Sequence, residues 1–236
     1  MSGVDFLITP IAKLPPQKLT RVSASDHVAQ ILKDAIVDGL LPAGEVLRQD
    51  ELAAHFGVSK IPVREALKHL EATGLVTFLR NRGAVVASLS CAEILEYVEI
   101  RAMLEARAAY LSASQISDES LEQARQCLFQ FGSETKAGRL GELNWQFHAT
   151  LYAASGRPIL LAEIRALYNK VERYVRALLA VTTEMPKTQH EHAEIFAAFV
   201  QRDADAAAEL TRVHVLDGGA SLVKYLNDHR IKGGKT

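Results

Sequence analysis

The sequence predicts a mainly α-helical chain in two parts: a small N-terminal domain ending in a β-hairpin, then an all-α antiparallel bundle of about six helices. Three observations predict it. At 236 residues the chain exceeds one typical domain of about 100 to 200 residues. Ala, Leu and Glu fill the second half, where good helix formers leave few β-rich runs. Between residues 25 and 88, three short helical patterns precede two β-type runs joined by a turn, and the order helix, helix, helix, hairpin is that of a winged helix-turn-helix.

Composition sets the broad class. Apolar residues make up 48% and charged residues 23%, as in globular proteins, and no stretch approaches the ~20 apolar residues of a spanning helix. The first ten residues carry Asp5 where a signal peptide needs positive charge, so a cytoplasmic protein with no membrane partner is expected. Cys91 and Cys127 fall inside helical patterns and are expected to be reduced.

Along the chain, residues 1–24 combine Pro10, Pro15 and Pro16 with Lys13, Lys18 and Arg21 and read as a flexible basic arm. Ser25 or Asp26 is expected to cap a first helix with Val28, Ile31, Leu32, Ala35 and Ile36 on one buried stripe, stopped by Gly39. Asp50 is expected to cap a short second helix to Phe56. After Gly57 and Val58, Ser59 caps a third helix to about Ala72, which Gly74 ends. Residues 75–79 and 84–87 form the hairpin around Arg80, Asn81, Arg82 and Gly83. From Ser90 the pattern turns to long helices, roughly 90–113, 117–137, 139–155, 157–181, 188–202 and 204–228. Ser90 with Glu93 forms a capping box, and Ser117 and Asp203 are further caps. This places a DNA-binding domain at 25–88, a helical domain at 89–230 and a disordered tail at 231–236.

Whole-chain charge is uninformative at −1, yet Ser59 to Arg82 holds five basic residues against two acidic ones. On a helical wheel Val63, Ala66, Leu67 and Leu70 share one arc, and Lys60, Arg64 and Lys68 form a separate stripe. The second helix of a helix-turn-helix puts its N-terminal residues at base edges in the major groove, where Lys60 and Arg64 can donate to guanine. Ser59 and the helix N-terminus suit phosphates, and Arg80 and Arg82 suit the backbone or the adjacent minor groove.

The run from Leu47 to Glu71, followed by Gly74-Leu-Val and Arg82-Gly83, closely resembles the GntR family of bacterial transcription regulators over most of 25–88. The resemblance implies that Ser59, Lys60, Pro62 and Arg64 start the recognition helix, and that Arg48 and the wing glycine Gly83 assist backbone docking. Lys60 departs from the usual Arg and offers a point charge in place of a planar fork.

In the second half, Asn144 and His148 are four residues apart and share a helix face, while His192 and His214 lie on two further helices. Three imidazoles and a side-chain oxygen suit Zn²⁺ or a similar divalent ion. His190, two positions from His192, should face solvent. With Arg101 and Glu105 upstream and Glu191, His192 and Ile195 downstream, residues 93–228 look like the FCD effector domain of the FadR branch of GntR regulators. That resemblance implies a metal held at positions 144, 148, 192 and 214, where many members carry an acid and three histidines; this chain has Asn144 in the acid's place. It further implies Zn²⁺, Ni²⁺ or Mn²⁺ as cofactor, a homodimer, repression, and an inverted repeat in double-stranded operator DNA. Three neutral imidazoles and an amide around a 2+ ion should attract an anion, so a small carboxylate effector is expected, with Arg101 as a bidentate partner. The alternative for Arg101 is an ion pair with Glu105. Two other readings stand beside this one: a metal-free regulator binding its effector through Arg101 and the histidines, and a His₃ metal hydrolase. The hydrolase lacks a motif that places a general base, so the chain is not expected to be an enzyme.

Overall fold

The computed structural model describes residues 23–80, 82–134, 137–181 and 184–233. Residues 1–22 of the arm proposed at 1–24, Asn81 and the last three residues of the proposed tail lie outside the described residues, while Ser23 and Ala24 belong to the start of the first helix rather than to an arm. The element order is α1 (Ala24–Val37), β1 (Val46–Leu47), α2 (Gln49–Phe56), α3 (Lys60–Ala72), β2 (Val76–Leu79) and β3 (Gly83–Val86), then α4 (Cys91–Ala113), α5 (Asp118–Ser133), α6 (Ala137–Ala153), α7 (Pro158–Val181), α8 (Glu184–Val200) and α9 (Ala204–Gly233). Among the described residues the chain is mainly helical, with a winged helix-turn-helix followed by six helices.

Local chemistry explains the boundaries and corrects several. Ser23, not Ser25 or Asp26, caps α1, its hydroxyl accepting from the Asp26 N–H. The apolar stripe of α1 is turned from the expected one: Val28, Ala29, Leu32, Ile36 and Val37 are buried, and Ile31 is exposed. Arg48 occupies the cap position of α2, and Asp50 sits inside its first turn, where a carboxylate still favours the helix dipole. Gly57 ends α2 in the left-handed conformation that lacks a penalty only for glycine. Ser90 and Glu93 make both bonds of a capping box at α4, and Asp203 accepts from the Ala206 N–H at 2.9 Å at the head of α9. Helix α9 continues to Gly233, past the expected end near 228 and into the segment expected to be disordered.

The wing has three strands rather than two, in the order β1-β3-β2. β1 pairs antiparallel with β3 through Val46↔Val85 and Leu47↔Ala84, and β2 pairs with β3 from Val76↔Val86 to Leu79↔Gly83. Beneath the sheet, Leu32 and Ile36 of α1 meet Val63, Leu67 and Leu70 of α3 in one apolar core. In the bundle α4 packs chiefly on α9, and α6 packs on α5 and α7. A core built around Phe147, Leu151, Tyr152, Ile195 and Phe199 fixes α6 against α8, which sets the positions of the histidines. Both cysteines are unbridged, and no described helix is long and apolar enough to cross a membrane.

Candidate nucleic-acid interface and metal centre

The turn between α2 and α3 buries one arc of α3 and presents the other. Val63, Ala66, Leu67 and Leu70 are buried, whereas Ser59, Lys60, Arg64 and Lys68 are exposed and Pro62 is half-buried. Ser59 stands at the cap position without a capping hydrogen bond, which leaves its hydroxyl for another partner. The Lys60 ammonium lies 2.6 Å from Asp50 of α2, and Arg48 lies 3.5 Å from Glu51, both pairs well exposed and therefore weak. Arg80, Arg82 and Gly83 are exposed at the wing tip, with Gly83 at φ 76°. The third helix's cations and the wing's arginines are thus all exposed, and among the described residues no buried partner holds them back.

In the helical domain the structure brings His148 of α6, His192 of α8 and His214 of α9 together: one nitrogen from each ring lies within 4.8 Å of the others. A tetrahedral ion with ~2.0 Å bonds would draw them to roughly 3.3 Å, a modest closure. His148 is 3% exposed and His192 0%. Both ring nitrogens of His192 are buried with no hydrogen-bond partner among the described residues, an arrangement that costs free energy unless something else fills it. Burial, with the neighbouring His214 and, for His148, also His192 and Arg101, holds both imidazoles well below their usual pKa, so they are neutral at pH 7 and able to donate lone pairs.

Two of the three rings are anchored from behind. Tyr152 donates its hydroxyl proton to Glu105 at 3.0 Å, so its oxygen accepts from His148 Nδ1–H at 3.2 Å, which leaves Nε2 for the centre of the cluster. His214 Nδ1 lies 2.7 Å from Glu191. Burial acts to raise the Glu191 carboxyl pKa, but the hydrogen bond from His214 and the charge of Lys187 outweigh it and the net shift is downward. Burial also pushes the Tyr168 hydroxyl pKa well above its usual value, so the hydroxyl stays a neutral donor. It donates to the Gly141 carbonyl at 2.8 Å and faces the Asn144 amide nitrogen at 3.5 Å, which leaves Asn144 Oδ1 as the atom available to an ion.

Asn144, His214, Arg101 and Tyr168 line one cavity of about 60 Å³ whose remaining walls are mostly apolar, from Val98, Val171 and Leu222 among others. Larger grooves exist, such as one of about 310 Å³ between the two domains, whose charged groups are already engaged, Arg176 with Asp38 and Arg173 with Tyr174, and which contains none of the histidines. Arg101 does form the ion pair with Glu105, at 2.8 Å and buried, and stacks over Tyr168 at 5.1 Å while still lining the cavity. His190 is exposed beside Glu194, as its spacing implied. Glu105, Tyr152 and Glu191 are site residues that periodicity alone did not single out.

A winged helix-turn-helix joined to a helical chamber with a histidine cluster defines a DNA-binding protein with a sensory domain. Residues 24–86 match the bacterial regulatory proteins of the gntR family, and residues 96–217 match the FCD domain. The HTH-type transcriptional repressor GlaR of Escherichia coli is 31% identical over 78% of this chain and 89% of its own. The Nta operon transcriptional regulator of Aminobacter aminovorans is 29% identical over 73% and 81%. Among solved structures, the Escherichia coli protein McbR/YncC shares the fold (TM-score 0.75, 22% identity, 87% of this chain and 100% of that one). A GntR-family regulator of Pseudomonas syringae pv. tomato has TM-score 0.54 at 31% identity over 89% of each chain. This chain belongs to the GntR family and is a transcriptional regulator with a DNA-binding helix-turn-helix and an FCD domain.

Proposed function

We propose that this regulator acts as a ligand-responsive repressor whose helical domain holds a divalent metal, zinc first by its preference for imidazole, and takes a small carboxylic acid. The observation that carries the reading is His192, buried with both nitrogens orphaned between the imidazoles of His148 and His214. His148, His192, His214 and Asn144 Oδ1 would hold the ion, which supplies an electrophilic centre for an anion. Arg101, already turned into the cavity by Glu105, offers its outer guanidinium edge to the same carboxylate. Lys60 and Arg64 read base edges, and Arg48, Ser59, Pro62, Lys68, Arg80, Arg82 and Gly83 seat the helix and wing on the backbone. The exposed apolar residues Leu95, Ile100, Met103 and Tyr110 on α4 support a second copy of the chain as partner, in line with an inverted repeat as operator. Repression is supported by the chain's likeness to the transcriptional repressor GlaR.

The test is metal content by mass spectrometry of untagged protein and of His148→Ala, with thermal melting against a panel of small carboxylic acids. Near one ion per chain, lost in the variant, and acids that raise the melting temperature only with metal present are expected. Asn144 in place of an acid favours one other reading, a metal-free site on Arg101 and the histidines; metal-free protein still stabilised by an acid would establish it. A chain that responds to neither sinks both.

A further inference from the structure

We infer that Glu191 is a positioning residue of the histidine site: it fixes the His214 ring with Nε2 facing inward and supplies, through that ring, the negative charge that Asn144 does not. The inference rests on the metal reading above and concerns how this chain balances the site.

Glu191 and His192 are neighbours on α8, so their side chains leave the helix about 100° apart. One enters the cluster, and the other reaches across to α9. Glu191 Oε2 lies 2.7 Å from His214 Nδ1, the side chains being 20% and 12% exposed, while Oε1 lies 3.6 Å from Lys187 Nζ near the surface. The carboxylate is therefore divided, one oxygen on the ring and one toward a solvated ammonium. A carboxylate accepting from Nδ1–H sets the tautomer, turns Nε2 to the cluster and makes that nitrogen a better donor. His148 receives the same treatment through Tyr152 and Glu105, whereas His192 has no partner behind it. The residues that would touch the ion are three imidazoles and an amide, with no anionic side chain among them. A hydrogen-bonded carboxylate behind His214 is the economical place to balance a 2+ ion without occupying a coordination position that an effector needs.

The experiment measures zinc dissociation constants by competition with a chromophoric chelator for wild type, Glu191→Gln, Asn144→Asp and the double variant. Nitrogen-15 NMR of the His214 ring in metal-free wild type and Glu191→Leu is recorded alongside. Glu191→Gln keeps size and an acceptor oxygen but loses charge; a 10- to 100-fold weakening is expected. Asn144→Asp should tighten binding and bring the double variant back near wild type, a rescue that a purely structural role for Glu191 would not produce. The ring of His214 should be the Nδ1–H tautomer in wild type and a mixture in Glu191→Leu. Unchanged zinc affinity in Glu191→Gln overturns the proposal. If wild type itself takes up no zinc, the metal reading fails separately, and an unchanged His214 tautomer in Glu191→Leu then overturns the orienting role as well.

Discussion

The two deeply buried imidazoles, His148 and His192, make a pH dependence that belongs to single residues. Their pKa values in the fold lie well below 6.5, mainly through burial. The unfolded chain therefore takes up their protons first, and stability is flat above about pH 6.5 and falls below it. Each proton bound only by the unfolded state tilts the curve by roughly 1.4 kcal/mol per pH unit. Glu172 works in the opposite direction, since burial raises its pKa and the folded state binds that proton first. Urea midpoints of chelated protein should decline between pH 6.5 and 5.5. A level midpoint across that window would show that the rings are not held neutral. The sequence made part of this site legible: Asn144 and His148 share a face by the four-residue spacing, and His190 points away from His192 by the two-residue one. It could not show Glu105 beneath Tyr152, because those residues lie 47 positions apart and meet only when α4 packs on α6.

At the scale of elements the seam between α4 and α9 is the most extensive helix contact. The pair Gly218 and Gly219, in the interior of α9, works there in two different ways. A methyl group on Gly219 would stand 2.5 Å from Val98 Cγ1 and 3.0 Å from its Cβ, a short β-branched side chain that cannot swing aside, whereas one on Gly218 would meet nothing within 4 Å. Alanine is the better helix former by about 1 kcal/mol. Gly218→Ala should therefore raise the melting temperature by a few degrees. Gly219→Ala should lower it, because overpacking costs about 1 to 3 kcal/mol and outweighs the propensity gain. Equal shifts of one sign would mean that the seam is looser than it stands. The long helices were legible because Ser90, Ser117 and Asp203 announce their starts and the apolar period runs unbroken between them. β1 was not legible: two residues, Val46 and Leu47, carry no alternation, and only their pairing with Val85 and Ala84 makes them a strand.

The whole molecule is joined by α7. Along one side of this helix Tyr168, Val171, Val175 and Leu178, spaced three and four apart, line the cavity beside the histidines. From its other side Arg173 donates to the Ala87 carbonyl, the Tyr174 hydroxyl accepts from the Leu89 N–H at 2.8 Å, and Arg176 reaches Asp38, the C-cap of α1, at 2.8 Å. The strap between β3 and α4 is thus tied to the same helix that walls the chamber, and a ligand that shifts α7 must move the DNA-binding domain or break these bonds. Spatial intermediacy alone does not establish coupling; a change in the coupling free energy does. Tyr174→Phe removes the acceptor for Leu89 and almost no volume, so metal content and the acid-induced rise in melting temperature should match wild type. The factor by which zinc and acid together alter affinity for a DNA site selected by the wild-type protein should shrink several-fold, since coupling of about 1 to 3 kcal/mol would lose one of its few fixed contacts. An undiminished factor would move the coupling off the Tyr174 contact and onto the other ties of the chamber to the DNA-binding domain, such as Arg173 to Ala87, the Arg176 to Asp38 pair or a second subunit.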